Sequence, residues 1–175
     1  LVTFCKDLTV DYEALCQQKN IIFHFLPSRT IIRVEFDPEK MEILLSNLIS
    51  NAFKYTPEGG KIVLSIDETD EKVTLVVEDN GIGIQKEFQE VIFDRFFQIE
   101  NTEIFSTGDG IGLSFVKHLV ELHDGTIRVE SELNKGAKFI VELPKKERVD
   151  EPVSSEEEII IVPKSVKENM LVVTE

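Results

Sequence analysis

The chain has 175 residues, 42% of them hydrophobic, which is enough for one globular domain with its own core. Its net charge of −14 argues against a nucleic-acid partner, because phosphate backbones attract clustered lysines and arginines. The same charge would repel a polyphosphate at long range, so we expect a divalent cation close to any such ligand.

Cysteine usage and hydropathy give the expected compartment. Cys5 and Cys16 have neither C-x-x-C spacing nor a histidine cluster, so we expect two reduced thiols near an N-terminal helix. No apolar run reaches the ~20 residues of a membrane-spanning helix, and no signal peptide is recognisable. We therefore expect a cytoplasmic chain. Because it begins with Leu1 rather than Met, we also expect it to be a fragment of a longer protein.

The first third of the chain predicts two helices and two strands. Hydrophobic spacing indicates a helix over residues 8–19 and strands over residues 21–26 and 31–35. Asp37-Pro38 is a helix start, with Asp as the N-cap and Pro at the first helical position. The second helix should continue to Tyr55 and end at the Pro- and Gly-rich residues 56–60.

The rest of the chain predicts strand pairs separated by short helices. The predicted elements are a strand pair at 61–66 and 73–78 with its hairpin at 67–72, a Phe-rich helical segment at 85–97, a loop at 99–110, a helix at 112–123 and a final hairpin of strands 126–131 and 137–143. Residues 150–158 have linker composition. This order predicts an α/β two-layer sandwich, with a mixed, mostly antiparallel sheet covered on one face by about three helices.

Four polar side chains share one face of the second predicted helix: Asn47, Asn51, Lys54 and Tyr55. An amide oxygen is a suitable ligand for Mg²⁺, which keeps several of its waters and binds substrate phosphates. Lys54 can meet a phosphate as a point charge. The alternative is a solvated helix face, although two Asn residues in mid-helix carry a small cost without an evident local gain.

A second polar segment follows the strand at 73–78. The carboxylate of Asp79 can accept a hydrogen bond from an adenine amino group, and Gly81 and Gly83 would let the backbone approach a base closely. Asn80-Gly81 is also a hairpin signal, but no second strand follows it.

The third segment is Gly108-Asp109-Gly110-Ile111-Gly112-Leu113, directly before a predicted helix. Backbone amides at such a glycine-rich helix start bind phosphate. The segment lacks the third Gly of the dinucleotide fingerprint and the Gly-Lys-Ser/Thr of the Walker pattern. A flexible glycine-rich loop is therefore the alternative.

The Phe-rich segment and His123 give less specific predictions of function. Phe93, Phe96 and Phe97 are expected in the core or as a hydrophobic latch, while Arg95 among them would reach a phosphate or point to solvent. His123 is expected to be structural, since it lies at a helix C-terminus where positive charge is favourable.

Taken together, the segments NLISNAFKY at 47–55, DNGIGI at 79–84 and GDGIGL at 108–113 resemble the N, G1 and G2 boxes of sensor histidine kinases. The match covers roughly residues 21–143 and includes a Phe-rich box at 92–98. The resemblance implies the Bergerat nucleotide-binding fold. It also implies transfer of the ATP γ-phosphoryl group to a histidine on a dimerisation domain that this chain lacks.

The resemblance implies a role for each box residue. Asn51 would hold Mg²⁺, and Asn47 would support the same site. Lys54 and Arg95 would touch phosphates, Tyr55 would border the pocket, and Asp79 would bind the adenine amino group. The base and phosphate contacts would be shaped by Gly81, Gly83, Gly108, Gly110, Ile111, Gly112 and Leu113. Residues 99–107 would form a short ATP lid. Related ATPases place a water-activating Glu four residues before the metal-binding Asn. Here that residue is Asn47, and because an amide is no general base we expect transfer rather than hydrolysis.

The resemblance also predicts how the chain is divided. Residues 1–20 would connect to the missing dimerisation hairpin, residues 21–144 would form the ATP-binding domain, and residues 145–175 would be an acidic linker and tail. Residues 170–175 resemble the first strand of a receiver domain, which would make the parent a hybrid kinase; an arbitrary apolar tail is an equal alternative.

We expect a homodimeric parent whose partners are a phosphoacceptor-histidine dimerisation domain and a receiver domain, in the same or a separate chain. An inner-membrane anchor of the parent is compatible with this prediction. Two alternatives stay open: a serine kinase of the anti-sigma-factor type on the same fold, and a non-catalytic nucleotide-sensing module.

Overall fold

The computed structural model describes residues 1–97 and 112–145. In these ranges the elements are α1 (Val2–Gln18), β1 (Ile22–Pro27), α2 (Pro38–Tyr55), β2 (Lys61–Glu68), β3 (Lys72–Asp79), α3 (Gly112–Leu122), β4 (Thr126–Glu132) and β5 (Gly136–Pro144). Two short 3₁₀ turns, Lys86–Phe88 and Val91–Phe93, lie between β3 and α3. Across the described part of the chain, no helix is both long enough and apolar enough to cross a membrane.

The five strands form one mixed sheet in the order β1-β2-β3-β5-β4. β1 and β2 are parallel, and the other neighbours are antiparallel. Alternate residues of the central strands face the core, among them Ile62, Leu64, Ile66, Val73, Leu75 and Val77. The helices pack on this face, and α2 contributes six buried residues to it. The predicted two-layer sandwich is confirmed.

The start of α2 is fixed by both local and long-range hydrogen bonds. Asp37 is the N-cap, and its Oδ1 accepts from the Lys40 amide at 3.1 Å, as the sequence predicts. The Asp37 amide in turn donates to His123 Nε2 at 3.1 Å. Since Nε2 accepts, Nδ1 carries the proton and donates to Leu119 O at 2.7 Å. His123 therefore joins the end of α3 to the start of α2. Its role is structural, as expected, but it acts through these two hydrogen bonds rather than through positive charge at a helix end.

The strand predicted at residues 31–35 is wrong, because the segment pairs with no strand among the described residues. Its alternating pattern is nonetheless real: Ile32 is buried, while Ile31 and Arg33 are exposed. The segment packs beside the start of α1, where the N-terminal amino group of Leu1 donates to Ile32 O at 3.2 Å. Packing against a helix end thus produces the same alternation that a strand would show.

Helix α1 begins well before the predicted residue 8. Its buried side chains are Val2, Cys5, Thr9 and Cys16. Because the polar Thr9 interrupts this apolar stripe, the hydrophobic pattern does not extend the predicted helix to its first turns. The Thr9 hydroxyl is satisfied by Lys6 O at 2.8 Å. Both cysteines are free, and burial raises the pKa of the Cys5 thiol to about 12.

The Phe-rich segment is less regular than the helix predicted for residues 85–97, since two 3₁₀ turns replace it. Phe93 packs edge-on against Phe139 with ring centroids 6.4 Å apart, and Phe97 packs on Phe88 at 5.7 Å. Phe96 was expected with them, but it has a positive φ of 64° and is 74% exposed, so it is not a core residue. The predicted loop 99–110 and the tail after residue 145 lie outside the described residues.

Because the helices cover one face of the sheet, substitutions on the covered face and on the open face should differ in their effect on stability. Leu64→Ala should destabilise the protein by about 2–5 kcal/mol, because it empties volume beneath the helices where Leu64 is fully buried. Leu26→Ala, on the open face of neighbouring β1 where Leu26 is 56% exposed, should change stability by less than about 0.5 kcal/mol. Denaturant unfolding measures both variants. Equal losses would contradict a sheet with one covered face.

Candidate functional site

The polar face predicted for α2 is present. Asn47, Asn51, Lys54 and Tyr55 are all half-buried, on a side of the helix that borders its buried stripe. At 1.5 Å of rise per residue, the face extends about 12 Å from Asn47 to Tyr55. Lys54 Nζ lies 5.0 Å from the centroid of the Tyr55 ring, so a cation–π contact keeps these two side chains together. The face is long enough to contact two different parts of one ligand.

The start of α3 lies beside the N-terminal end of this face. A Cβ atom on Gly112 would come within 2.9 Å of Asn47 Oδ1, so a larger residue would displace the amide. Asn47 Nδ2 donates to Ile43 O at 2.8 Å, which orients that amide. Leu113 is half-buried against the core. The structure thus brings the N box and the end of the G2 box together, while Gly108, Gly110 and Ile111 lie outside the described residues.

The last residue of β3 and the loop after it, together called the residue 79–83 loop, pack against the other end of the same helix. Ile82 N donates to Tyr55 O at 3.3 Å, and a Cβ on Gly81 would overlap that carbonyl oxygen. The described residues 80–97 contain no strand, so Asn80-Gly81 is not the turn of a hairpin. The close approach that requires glycine at position 81 is an approach to the backbone of α2; a contact of Gly81 with a base stays a prediction.

Asp79 is a buried carboxylate at this end of the site, with 7% of its surface exposed. Its Oδ1 accepts from Gly81 N at 2.8 Å. Burial is the main influence and raises the pKa of Asp79, while backbone hydrogen bonds from Gly81 and Ala137 act in the opposite direction. A carboxylate has acceptor capacity beyond one bond, so Asp79 can also receive a donor from a ligand.

The hairpin between β4 and β5 packs against the residue 79–83 loop and supports it. Gly136 has φ +98° and packs so closely on Asp79 O that a Cβ would overlap it. Gly83 has φ +68° and packs in the same way on Glu132 O. Asn134 N donates to Ile82 O at 2.7 Å. The sequence predicted this hairpin from Asn134-Lys135-Gly136 but gave no signal that it would support the residue 79–83 loop.

Side chains complete the support on the same side. Ile84 N donates to Ser131 Oγ at 2.8 Å, and Ser131 Oγ donates to Gly136 O at 2.7 Å. Gln89 Nε2 donates both to Ile84 O at 3.0 Å and to Ser131 O at 2.8 Å. These residues were missed by the sequence analysis, because their importance lies in contacts between segments distant in sequence.

The donor set fits a nucleotide with magnesium. A glycine-lined start of α3, an amide-bearing helix face with Lys54 and a buried carboxyl acceptor are all present around one helix. Among the described residues, no group of three or more His, Cys, Asp or Glu side chains is placed to hold a metal. A divalent ion at this site would therefore take few protein ligands and depend on phosphate oxygens, as Mg²⁺ commonly does. Arg95 is exposed, and its contact with phosphate stays a prediction.

Comparison with known proteins identifies this arrangement. Residues 36–147 match the family described as histidine kinase-, DNA gyrase B- and HSP90-like ATPases. Histidine kinase P4 of Formosa agariphila is 38% identical over 148 residues, which are 82% of this chain and 11% of that protein. The chain spans between 9% and 24% of the length of the first three curated relatives.

Solved structures agree in fold. The nucleotide-free catalytic domain of histidine kinase ThkA superposes with a TM-score of 0.73 and 33% identity, over 82% of this chain and 92% of that one. Histidine kinase ThkA in complex with the response regulator protein TrrA gives a TM-score of 0.70 and 32% identity, over 83% of this chain and 40% of that one.

The burial of Asp79 predicts that this residue lowers the free energy of unfolding by an amount that depends on pH. Because its folded-state pKa is raised above the ordinary 3.8, the folded protein holds this proton more tightly than the unfolded chain. The contribution of Asp79 to stability therefore falls as the pH rises from about 3.8 through the raised pKa, and the full cost is present above that raised pKa. Asp79→Asn should raise the melting temperature of the nucleotide-free protein at pH 7.

The control for this prediction is Asp70→Asn, which removes the same charge from an exposed turn between β2 and β3. Thermal unfolding at pH 7 should rise for Asp79→Asn and stay near the wild-type value for Asp70→Asn. An Asp79→Asn protein less stable than wild type at pH 7 would show that the hydrogen bonds to the carboxylate outweigh its desolvation.

Proposed function

Since the chain belongs to the family of histidine kinase-, DNA gyrase B- and HSP90-like ATPases and is a histidine kinase catalytic domain in sequence and fold, we propose that it binds Mg-ATP and supplies the γ-phosphoryl group to a histidine of a dimerisation domain outside this chain. One observation carries the proposal. Asp79, the hydrogen-bond acceptor proposed for the base, lies at one end of the polar face of α2. Asn47 and Gly112, which are proposed for the phosphate side, lie at the other end.

At the base end, Asp79 accepts a hydrogen bond from the exocyclic amino group of adenine. Its orientation is set by the Gly81 amide, and burial in a site of low polarity strengthens the bond. Guanine has a carbonyl oxygen at the equivalent position, and two acceptors would then face each other. The site should therefore prefer ATP over GTP. Tyr55 borders the base from the end of α2.

At the phosphate end, Asn51 supplies the amide oxygen for Mg²⁺, and Asn47 supports the same part of the site. Lys54, three residues beyond Asn51 towards the base end and beside Tyr55, neutralises phosphate charge from that side, and the backbone amides at the start of α3 face the phosphates from the other. Bound Mg-ATP supplies the transferable phosphoryl group and the charge neutralisation that its transfer needs. The chain itself positions these groups, which is most of the catalysis in phosphoryl transfer.

The side chain at position 47 favours transfer over hydrolysis. Its Nδ2 is committed to Ile43 O at 2.8 Å, and neither atom of a neutral amide can take a proton from water at neutral pH. Water in the site is therefore not activated from this position. The incoming imidazole is itself a nucleophile, so the γ-phosphorus can form its bond to nitrogen as its bond to the ADP oxygen breaks.

The likeness to a histidine kinase in complex with a response regulator supports a receiver domain as the downstream partner. We further propose the division into a connector at residues 1–20, a nucleotide domain at 21–144 and a linker after 145, in a homodimeric parent. A receiver domain attached after residue 175 and a membrane anchor in the parent belong to the same proposal.

Transfer to a supplied acceptor tests this function. The protein is incubated with Mg²⁺ and γ-labelled ATP, with and without a separately produced dimerisation hairpin from a histidine kinase related to it. Label on the hairpin that is lost in acid and kept in base identifies phosphohistidine. Base-labile, acid-stable label would indicate a serine kinase. ATP binding without transfer to any acceptor would indicate a nucleotide sensor.

The metal assignment predicts that Asn51→Ala weakens Mg-ATP binding by at least about tenfold, because the protein ligand of Mg²⁺ is lost. Titration calorimetry with and without Mg²⁺ measures the effect. Ser50→Ala, at the adjacent exposed position of α2, is the matched control and should bind as wild type does. Equal Mg-ATP affinity of the Asn51→Ala and wild-type proteins would disprove the role given to Asn51.

The base assignment predicts that Asp79→Asn loses its preference for ATP over GTP, because the new amide can present a donor to the guanine carbonyl oxygen. Affinities for ATP and GTP are compared in the same buffer for both proteins. The ratio should fall by about tenfold or more, the scale of one buried charged hydrogen bond. A wild-type protein that binds ATP and GTP equally would contradict adenine recognition by Asp79.

A further inference from the structure

The last turn of α2 is held from the side of α1 by Lys19, the residue that follows that helix. Lys19 Nζ donates to Phe53 O at 3.0 Å and to Thr56 O at 2.8 Å. The ammonium group also lies 4.9 Å from the centroid of the Phe53 ring. The end of a helix leaves carbonyl groups without helical donors and carries partial negative charge, so a cation is well placed there.

The opposite side of this turn carries the loop that contains Asp79. Tyr55 O accepts from Ile82 N at 3.3 Å, and Gly81 packs on the same carbonyl without room for a side chain. The Gly81 amide then donates to Asp79 Oδ1 at 2.8 Å. A shift of the last turn of α2 would therefore move the loop and turn the carboxylate.

Thr56, the residue after the helix, tightens the same connection. It is 1% exposed, and its hydroxyl donates to Ala52 O at 2.6 Å. Its methyl group lies where a Cβ of Gly60 would have to be, and Asn80 Oδ1 is 2.9 Å from that same position. Asn80 Oδ1 also accepts from Lys61 N at 2.7 Å. The end of α2, the start of β2 and the loop after β3 are thus packed as one unit. After α1, Asn20 contacts the connection to β2, with Nδ2 donating to Glu58 Oε1 at 2.7 Å, whereas Lys19 contacts the last turn of α2 itself.

We propose that Lys19 is a positioning residue for the nucleotide base. It touches no ligand itself. It holds the last turn of α2, that turn sets the place of the Asp79 loop, and base recognition thereby depends on where the end of α1 lies. The proposal rests on the proposed function, and it adds a regulatory property to that site: a partner element that displaces α1 lowers the affinity for the base.

The test compares Lys19→Met with Lys19→Arg, and uses Lys6→Met, at an exposed position of the same helix, as the control. Calorimetry gives the affinities for Mg-ATP, Mg-ADP and Mg-GTP at a temperature where every variant is folded. Amide hydrogen exchange at Ile82 is measured without nucleotide, as a readout that needs no bound ligand.

Lys19→Met should weaken ATP and ADP binding equally, by about fivefold, the scale of coupling changes produced by residues outside a binding site. The ATP-to-GTP preference should fall, and Ile82 should exchange faster. Lys19→Arg should recover most of the affinity, because a guanidinium can donate to the same two carbonyls. Lys6→Met should match the wild type. A residue with a merely structural role would lower stability without changing the ATP-to-GTP ratio.

Wild-type affinities and selectivity in a folded Lys19→Met protein would overturn this inference alone. A wild-type protein that does not bind Mg-ATP would overturn the proposed function and this inference with it. If Lys19→Met does not fold, Lys19→Leu, which also removes both donated hydrogen bonds, is measured against the same predictions; unchanged ATP-to-GTP preference and Ile82 exchange in that variant would overturn the inference.

Discussion

Helix α2 must bury one face against the sheet, and this single constraint fixes the rest of the site. Its buried residues are Met41, Leu44, Leu45, Leu48, Ile49 and Ala52. Burying them sets the rotation of the helix about its axis, because apolar and polar positions alternate with the helical period. Asn47, Asn51, Lys54 and Tyr55 then occupy one side without any freedom to face elsewhere. The hydrophobic effect, rather than any polar contact, therefore positions the polar residues of the site.

The two ends of that helix face different surroundings. At one end the amide of Asn47 meets a glycine at the start of α3, so backbone amides can approach there. At the other end the last carbonyls find donors in Lys19 and Ile82. Each end thus has a different chemistry, and a ligand with a base and a polyphosphate has one orientation in which both parts are matched.

Burying the ionised carboxylate of Asp79 costs folding free energy. Burial raises its pKa and disfavours the charged form, yet the residue 79–83 loop is held by hydrogen bonds on both sides and by glycines where a side chain would not fit. This rigid support keeps the acceptor oriented before a ligand arrives, so little ordering has to accompany binding. The buried position that lowers stability is thus also the one that orients Asp79 for the proposed recognition of a base.

Local chemistry explains which features could be predicted from the sequence. The Asp37 N-cap, the α2 face, the β2–β3 pair and the Asn134-Lys135-Gly136 turn depend on residues close together in the chain, and all of them are present. Asn47, Asp79 and Gly112, which the box pattern groups into one nucleotide site, all lie on or against α2, and their roles towards a nucleotide stay predictions.

The errors came from contacts between distant segments. Residues 31–35 alternate like a strand because they pack on α1, and the exposed Phe96 sits in an irregular turn that its helical spacing to Phe93 and Phe97 did not indicate. The support of the Asp79 loop by Ser131, Gln89 and Gly136, and the contact of Lys19 with α2, depend on which surfaces meet after folding. A single sequence carries no local signal for such pairs.

The most direct test of this account is a map of amide chemical shifts during titration with adenosine and then with Mg-ATP. Adenosine should shift the amides of residues 79–83 and Tyr55 and leave Asn47 and Gly112 nearly unchanged. Mg-ATP should shift both groups, while amides on the open sheet face, such as His24 and Arg128, stay in place. Shifts centred on the open face, or adenosine shifts at Gly112 without any at Asp79, would contradict a nucleotide lying along the polar face of α2.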